Sequence, residues 1–304
     1  NKLLNFMGIT KTRSIHRWSW SESAKGERRN GRHNYEHGLM RKYGQVFAPY
    51  ILGFANTAYF PADPKTYKNV ADEVEYCVDI MDYLDKQGIK RDCLELWNEP
   101  NIISFWKTDN WITYFQLADR LGYEMNNCYP NMPLYACTLA TTQGAYEYAY
   151  EYFKRGGLMY SGGLSSHPYS HPLSPDNESV ARSHINKTKE MLDTRDKIGG
   201  WIDLTQTEVG YPTATSASGV DKLTQAQYMP KLYIYNDDLD ISLTNIYTFE
   251  DTGWNYNDNE HNWGIIDLNL VPKEAVITIT QLNKYCANSE YLGKFKIDKS
   301  SYVY

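Results

Sequence analysis

The sequence is poor in the features that mark disulfide-stabilised, metal-binding, membrane and nucleic-acid-binding proteins. Its five cysteines form no CxxC pair, and no cluster of His and Cys or of Asp and Asn has the spacing of zinc or calcium ligands. No apolar run is long enough to cross a membrane. The 31 basic residues are outnumbered by 37 acidic ones, whereas a nucleic-acid-binding face is basic. We therefore expect no metal or other cofactor, no membrane contact and no nucleic-acid partner.

Aromatic residues, in contrast, are abundant, with 27 Tyr and 8 Trp in 304 residues. These side chains combine an apolar face with a polar tip, which suits stacking against sugar rings. They also pack well between helices and strands, so their abundance alone leaves both interpretations open. The chain is long enough for one large α/β barrel or for two smaller domains.

Strand-like and helix-like segments alternate along the chain. The strand-like runs are 9–15, 46–55, 92–97, 133–138, 161–166, 202–208 and 241–248, and the helix candidates are 64–87, 110–127, 144–156, 178–197, 224–235 and 272–288. Such alternation predicts parallel βαβ units, packed as a doubly wound sheet or as a closed barrel.

The seven strand-like runs are one fewer than a (β/α)8 barrel requires. Residues 1–7 look like the end of a first helix, and the chain begins with Asn, so we expect the first strand to lie upstream. Residues 290–304 alternate as short strands would, which is typical of the start of a small accessory β-sandwich. The predicted fold class is α/β, a (β/α)8 TIM barrel over residues 1–289 followed by a C-terminal β segment over residues 290–304.

Two glutamates stand where predicted strands end. Glu99 follows the run LELWN, and Glu208 ends the run IDLTQTE. In a barrel of parallel strands, the carboxyl ends of the strands form the active-site face. Retaining glycoside hydrolysis uses two facing carboxyl groups about 5–5.5 Å apart, one to protonate the leaving oxygen and one to attack the anomeric carbon. We therefore predict that this pair is catalytic rather than two solvated surface acids.

The segments around both glutamates resemble clan A glycoside hydrolases, and most of all the glycoside hydrolase family 39 group. Trp97-Asn98-Glu99-Pro100 is similar to the fourth-strand motif of that clan, which implies that Asn98 binds the sugar 2-hydroxyl and that Glu99 is the acid/base. Thr207-Glu208-Val209-Gly210 is similar to the seventh-strand segment that carries the nucleophile. The last two residues of this second segment occupy positions that vary widely among relatives.

Further segments resemble the same clan in matching chain order. His167-Pro168-Tyr169 is similar to the sixth-strand pair whose tyrosine hydrogen-bonds the nucleophile, and Arg13 is similar to the second-strand arginine beneath it. Residues 262–275 resemble the passage from the eighth strand into the last helix. The resemblance spans residues 8–290 and implies that Arg13, His167 and Tyr169 belong to the substrate site. A nearby arginine favours the ionised form of a nucleophilic carboxylate.

Other residues are weaker candidates for sugar binding. Trp18 either forms a sugar platform or packs in the core, and Asn56 ends a predicted strand at a place where it would reach the sugar. For the platform beneath the reactive sugar we favour Trp254 over Trp263, which lies in the same loop. Trp106 follows the acid/base and is a candidate for a sugar platform at the rim of the site. Glu250, Asp251 and the basic run 25–33 are expected to be solvated.

The sequence thus predicts a retaining glycoside hydrolase that acts on an oligosaccharide or polysaccharide, with a secreted or cell-surface location. Two alternatives stay open, a non-catalytic carbohydrate-binding barrel and a transglycosylase that uses the same residues. The presence of both glutamates with Asn98, Tyr169 and Arg13 disfavours the binding barrel, because sugar binding alone needs no acid/base pair.

Overall fold

The computed structural model describes residues 2–53, 70–106, 111–142, 144–198, 202–293, 295–296 and 302–303. The helices are α1 (Lys2–Phe6), α2 (Trp18–Ser21), α3 (Asn34–Tyr43), α4 (Val70–Lys86), α5 (Trp111–Cys128), α6 (Ala145–Lys154), α7 (His184–Lys197), α8 (Lys222–Asp238) and α9 (Glu274–Cys286). The strands are β1 (Lys11–Ile15), β2 (Val46–Leu52), β3 (Leu94–Leu96), β4 (Leu134–Tyr135), β5 (Cys137–Ala140), β6 (Gly163–His167), β7 (Asp203–Val209), β8 (Leu243–Ile246), β9 (Phe295–Lys296) and β10 (Tyr302–Val303).

The chain divides into two units. Unit 1 comprises Asn1–Lys2, Thr10–Ser166 and Asp193–Asp203, and unit 2 comprises Leu3–Ile9, His167–Leu192 and Leu204–Tyr304. The predicted α/β class with parallel strands is confirmed within these units. No helix among the described residues is both long and apolar enough to cross a membrane.

Unit 1 contains a four-stranded parallel sheet in the order β1-β2-β3-β4. Tyr50 of β2 lies opposite Leu94 of β3, and Leu94 lies opposite Leu134 of β4. Strands of parallel sheets are covered on both faces and therefore read as apolar runs. Accordingly, β3 is buried along its whole length and β2 from Phe47 onward. An acid in such a strand, Glu95, is therefore held away from water.

Helix α4 covers this region with an apolar stripe. Its residues Val74, Cys77, Ile80 and Leu84 recur at helical spacing and are buried, and α4 packs against α5. The chain turns at Gly88, whose φ of 63° lies in the left-handed region that glycine tolerates. Such a residue is the usual end of a helix, and α4 ends at Lys86, within one residue of the predicted end at 87.

Two predicted boundaries were wrong for identifiable reasons. The predicted strand 133–138 is divided into β4 and β5 by Ala136, whose carbonyl accepts a hydrogen bond from the Tyr114 hydroxyl at 2.6 Å. The predicted helix 178–197 begins only at His184. Before it, the Asn177 side chain accepts from the backbone N–H and the hydroxyl of Ser179, at 3.1 and 2.6 Å. Such local side-chain bonds compete with helix formation.

Unit 2 contains β7 and β8 as a parallel pair, with Thr205 opposite Leu243 and Gln206 opposite Thr244. Helix α8 begins after Asp221, whose carboxylate caps it by accepting from the Thr224 N–H at 2.7 Å. Helices α8 and α9 pack together over one apolar core. Its buried members are Met7, Val209, Tyr211, Ala226, Met229, Leu232, Ile265, Ile266, Ala275, Val276 and Ile279.

The C-terminal strands β9 and β10 form a short antiparallel pair in the part of the chain that the structure describes. At these four residues it agrees with the strand character predicted for residues 290–304, whereas residues 290–293 form no strand. The predicted β-sandwich, and the closure of the parallel strands into a barrel, stay predictions.

Three histidine rings, of His16, His33 and His37, lie together inside unit 1. The ring centroids of His16 and His33 are 4.1 Å apart. The Tyr50 hydroxyl lies 3.1 Å from Nδ1 of His16 and 3.0 Å from Nε2 of His37. Burial, together with the other two rings, lowers the pKa of His16 to about 2, and burial lowers the pKa of His37 to about 4. Both rings are therefore neutral in the folded protein near neutral pH.

Acid is expected to destabilise the fold through His16 and His37. Above the ordinary histidine pKa of 6.5, both rings are neutral whether the chain is folded or unfolded. Below it, the unfolded chain binds protons that the folded chain excludes, so the free energy of unfolding falls with pH down to the lowered pKa values. At about pH 5 each ring lowers this free energy by about 2 kcal/mol.

Urea unfolding at neutral pH and at about pH 5 measures this effect. When the pH falls from neutral to about 5, the free energy of unfolding of His37→Gln is expected to decrease by about 2 kcal/mol less than that of the wild type. Ser21→Ala is the matched control, because it removes the 2.7 Å hydrogen bond to His16 but no titratable group. It should lower the stability by a similar amount at both pH values. Identical pH dependence in His37→Gln and the wild type would contradict the prediction.

Candidate active site

The chain bends sharply where β3 ends, and Glu99 lies in that bend. Trp97 has a φ of 64° and Glu99 a φ of 46°. These values are unusual for residues with a side chain, cost about 1–3 kcal/mol each, and cluster at functional sites. The Tyr114 hydroxyl lies 2.9 Å from the Leu96 carbonyl at the strand end and 2.6 Å from the Ala136 carbonyl, so the two carbonyl oxygens share its single hydrogen. The bend is therefore held in place by a residue of α5.

The loop after Glu99 is fixed from two sides. The Asn101 amide donates to the Ala140 carbonyl at 2.9 Å and accepts from the Ala140 N–H at 3.1 Å. The indole of Trp97 packs edge-on against Trp106, with ring centroids 5.4 Å apart. Trp106 is fully buried, so its proposed role as a rim platform was wrong. Glu99 itself is only 8% exposed, so little of its side chain is accessible to water.

Arg13, Glu95 and Asn98 form a hydrogen-bonded chain in unit 1. The Arg13 Nε donates to Glu95 Oε2 at 2.7 Å, and its Nη2 donates to Asn98 Oδ1 at 2.8 Å. The Glu95 side chain is fully buried and that of Arg13 is 12% exposed. The structure therefore joins two predicted site residues, Arg13 and Asn98, directly, and it pairs Arg13 with Glu95, an acid that the sequence analysis did not select.

Glu208 lies near the end of β7, among hydrogen-bonding groups of unit 2. The Tyr169 hydroxyl donates to Glu208 Oε2 at 2.9 Å, as the resemblance implied. Nδ1 of His167 is 3.7 Å from the same oxygen, and its Nε2 is 3.0 Å from the Thr207 hydroxyl. A phenol donor stabilises an ionised carboxylate and fixes its orientation. The 15% exposure of the Glu208 side chain leaves it accessible.

Aromatic rings support Tyr169. The Trp263 ring lies 5.0 Å from the Tyr169 ring, and Tyr247, which follows β8, packs edge-on at 6.4 Å. A Cβ at Gly210 would stand 2.2 Å from the Tyr247 carbonyl oxygen, so this position requires glycine. Of the two tryptophans considered as sugar platforms, Trp263 is 4% exposed and Trp254 is 61% exposed. The preference for Trp254 stays a prediction.

The remaining candidates take different places. Trp18 is fully buried, donates its indole N–H to Glu22 at 2.7 Å and stacks on Tyr76. It packs in the core, so the platform alternative was wrong. Asn56 lies outside the described residues. Asp251 was expected to be solvated but is only 8% exposed. Its carboxylate forms an ion pair with the Lys273 ammonium group, at a distance of 2.7 Å.

The basic run 25–33 is largely neutralised within unit 1. Arg28 pairs with Glu22 at 3.3 Å and Lys25 with Asp72 at 3.6 Å. The Lys25–Asp72 pair is largely exposed, as ion pairs on a solvated surface are, whereas the Glu22 side chain is fully buried beside Arg28. The positive charge of the run is therefore partly offset by acids of unit 1 that lie beside it.

Sequence reasoning missed Glu95, Thr207 and Tyr247. A signal existed for Glu95, because an acid between two leucines of a buried strand needs a partner. Thr207 could have been noticed as the neighbour of Glu208. Tyr247 carried no distinguishing pattern, since tyrosine is common throughout this chain.

Comparisons with known proteins identify the fold. No family model matches the sequence, and no curated protein sequence matches it. Among solved structures, a family 39 glycoside hydrolase from Bacteroides cellulosilyticus matches 98% of the chain with a TM-score of 0.78 at 19% identity. A monomeric β-xylosidase from Caulobacter crescentus matches 93% with a TM-score of 0.71 at 13% identity.

An endo-laminarinase from Formosa matches 88% of the chain, and the match covers 76% of its own length, with a TM-score of 0.64 at 12% identity. The chain spans 62% and 63% of the length of the family 39 hydrolase and the β-xylosidase. Similarity at this level of identity concerns the fold. The chain has a fold similar to that of clan A glycoside hydrolases, and the predicted resemblance to the family 39 group is thereby confirmed.

Proposed function

We propose that the protein is a retaining glycoside hydrolase that cleaves O-glycosidic bonds of an oligosaccharide or polysaccharide by double displacement. Glu208 is the nucleophile and Glu99 is the acid/base. The observation that carries the proposal is the contrast between the surroundings of these two strand-end glutamates. Glu208 accepts a hydrogen bond from Tyr169 at 2.9 Å, whereas Glu99 is buried in a bend beside Trp97.

These surroundings suit two different tasks. A nucleophile must be ionised, and the Tyr169 hydroxyl stabilises the charged form of Glu208. A general acid must reach the departing oxygen from a fixed position, and the bend at Trp97 and Glu99 fixes the backbone that carries the Glu99 carboxyl group. Two carboxyl groups with opposite roles are what hydrolysis with retention requires.

In the first step, Glu208 attacks the anomeric carbon while Glu99 gives its proton to the departing oxygen. The bond between the anomeric carbon and the leaving oxygen breaks, and an ester bond to Glu208 forms. Asn98 is assigned to the sugar 2-hydroxyl, where a hydrogen bond strengthens as the transition state forms. Arg13 holds the Asn98 amide by its oxygen at 2.8 Å.

In the second step, Glu99 takes a proton from water, which attacks the anomeric carbon and releases Glu208. The acid of the first step is thus the base of the second. The products are the sugar with its original anomeric configuration and the regenerated enzyme. A transglycosylase follows the same route, with a sugar hydroxyl in place of water.

The (β/α)8 barrel and the secreted or cell-surface location belong to this proposal. The alternation of strands and helices and the similarity in fold to glycoside hydrolases support the barrel. A location outside the cell is consistent with a polymeric substrate, because polysaccharides do not cross membranes unaided. The reaction as written uses only water and the two glutamates, so it needs no cofactor.

Mechanism-based labelling tests the proposal. The protein is treated with a panel of 2-deoxy-2-fluoro glycosides, and the labelled peptide is located by mass spectrometry. We expect one adduct per chain, on Glu208, with at least one sugar of the panel. Glu208→Gln should stay unlabelled, and Glu178→Gln, which replaces an exposed acid paired with Lys189, should be labelled as the wild type is.

The outcomes separate the alternatives. An adduct on another carboxyl group would overturn the assignment of the nucleophile. Sugar binding without an adduct or product, across the whole panel, would favour the carbohydrate-binding barrel. Adduct turnover that depends on an added sugar acceptor rather than on water would indicate a transglycosylase.

Tyr169→Phe tests the hydrogen bond to the nucleophile. Losing one donor to a charged carboxylate is expected to lower kcat by about 10–100-fold, with a much smaller change in KM. Steady-state kinetics on the aryl glycoside of the labelling sugar measure the effect. Tyr228→Phe is the control, because it alters another tyrosine of unit 2 that packs on Tyr211. Equal kcat values in Tyr169→Phe and the wild type would contradict the role of Tyr169.

A further inference from the structure

The carboxylate of Glu95 is buried inside β3 of unit 1. Its side chain has no exposed surface, although Glu is rarely buried so completely. Its Oε2 accepts from Arg13 Nε at 2.7 Å. The same guanidinium donates from Nη2 to Asn98 Oδ1 at 2.8 Å. One acid therefore holds an arginine that in turn holds the residue preceding Glu99.

We propose that Glu95 is a positioning residue, which acts through Arg13 to present the Asn98 amide to the sugar 2-hydroxyl. This inference rests on the proposed function, in which Asn98 binds that hydroxyl. Glu95 does not itself touch the substrate. Its effect is to fix the direction and orientation of a side chain that does.

The chemistry of the three groups sets the orientation of the amide. A guanidinium has five N–H donors and no acceptor, so Arg13 can bond to Asn98 only through the amide oxygen. The amide nitrogen, with its two donors, is then the end that meets a sugar hydroxyl. Without Arg13 in place, the Asn98 amide can rotate and present its oxygen to the sugar. The sugar 2-hydroxyl would then have to donate a hydrogen bond instead of accepting one.

Glu95 in turn sets the position of Arg13. An arginine side chain has several rotatable bonds, and a charge-assisted hydrogen bond at 2.7 Å restricts them. Buried ion pairs are weak sources of stability, since well-packed apolar residues often serve a fold equally well. A buried Glu–Arg pair next to the acid/base loop is therefore explained better by the geometry that it imposes than by stability.

The proposal is tested by removing the Glu95 carboxylate and the sugar 2-hydroxyl, each alone and both together. The kcat/KM of the wild type and of Glu95→Gln is measured on an aryl glycoside and on its 2-deoxy analogue. We expect Glu95→Gln to lower kcat/KM by about 30-fold on the parent glycoside and by less than about 3-fold on the 2-deoxy substrate. A merely structural role would lower both values by the same factor.

Glu22→Gln is the matched control. Glu22 is also a fully buried carboxylate of unit 1 paired with an arginine, at 3.3 Å from Arg28. Its replacement should affect the two substrates equally. If Glu95→Gln does not fold, Glu95→Asp answers the same question, because it keeps the charge but shortens the side chain by one methylene group.

A second measurement does not depend on activity. In amide NMR spectra, the Asn98 side-chain signal, assigned with Asn98→Asp, is expected to shift in Glu95→Gln and to stay unchanged in Glu22→Gln. A wild type that neither hydrolyses nor binds any tested sugar would defeat the proposed function, and the NMR result would still decide whether Glu95 orients Asn98. Equal losses on both substrates with an unshifted Asn98 signal would overturn the positioning role.

Discussion

Glu208→Ala is expected to lower kcat/KM by ~10⁴-fold or more, because it removes the group that forms the glycosyl ester. Glu208 accepts a hydrogen bond from Tyr169 at 2.9 Å and retains some exposure, so it is both oriented and reachable. The alanine variant has space in place of the carboxylate. Added azide should enter this space and restore part of the activity on substrates with good leaving groups.

The stereochemistry of the azide product makes this test specific. Azide that replaces the nucleophile attacks once, so the glycosyl azide should have the inverted configuration. Proton NMR of the product gives the anomeric configuration directly. Glu178→Gln, which replaces an exposed acid of unit 2, controls for the loss of a carboxylate. Wild-type activity in Glu208→Ala, or a rescued product of retained configuration, would exclude Glu208 as the nucleophile.

Glu99→Ala is expected to show an effect that depends on the leaving group. General acid catalysis contributes about 10²–10⁴-fold, so kcat/KM should fall by that factor on glycosides whose leaving groups need a proton. On dinitrophenyl glycosides, which leave without protonation, kcat/KM should be nearly preserved. The second step lacks its base in this variant, so the glycosyl enzyme should accumulate and KM should fall.

Azide again distinguishes the roles. In Glu99→Ala it should attack the glycosyl enzyme and give a glycosyl azide of retained configuration, opposite to that expected from Glu208→Ala. Glu124→Gln is the control in unit 1, since this acid of α5 is partly exposed and pairs with Arg120 at 3.4 Å. A uniform loss of kcat/KM across all leaving groups would contradict the assignment of Glu99 as the acid/base.

Much of the order of helices and strands could be predicted from the sequence. Strands such as β2 and β7 are long apolar or alternating runs, and α4 carries a regular apolar stripe, so their signals are local. Helix α3 was not predicted. Its only buried residues are His37 and Met40, and Gly38 interrupts it, which leaves little apolar periodicity to detect.

The candidate site was predictable only in part. Glu99 and Glu208 could be identified because each stands beside its own strand-end signal. The exposure of side chains could not be identified in this way. Trp18 and Trp254 both occur in loop-like polar sequence, yet the first is fully buried and the second is 61% exposed. Burial depends on what the rest of the chain brings against a residue, and no local pattern reports it.

The sequence by itself determined the α/β alternation and the location of two glutamates at strand ends, because both follow from periodicity within short windows. Only the tertiary structure decided which partners these regions acquire. Arg13 and Glu95 are 82 residues apart, and no local pattern pairs them, whereas the Tyr169–Glu208 contact, across 39 residues, was implied only by the resemblance to a known family. A hydrogen bond across such a separation depends on where neighbouring strands and loops place the two side chains. That placement results from packing of the whole core. The two glutamates of the site could therefore be predicted from the sequence, but the hydrogen bonds that link Glu95, Arg13 and Asn98 could not.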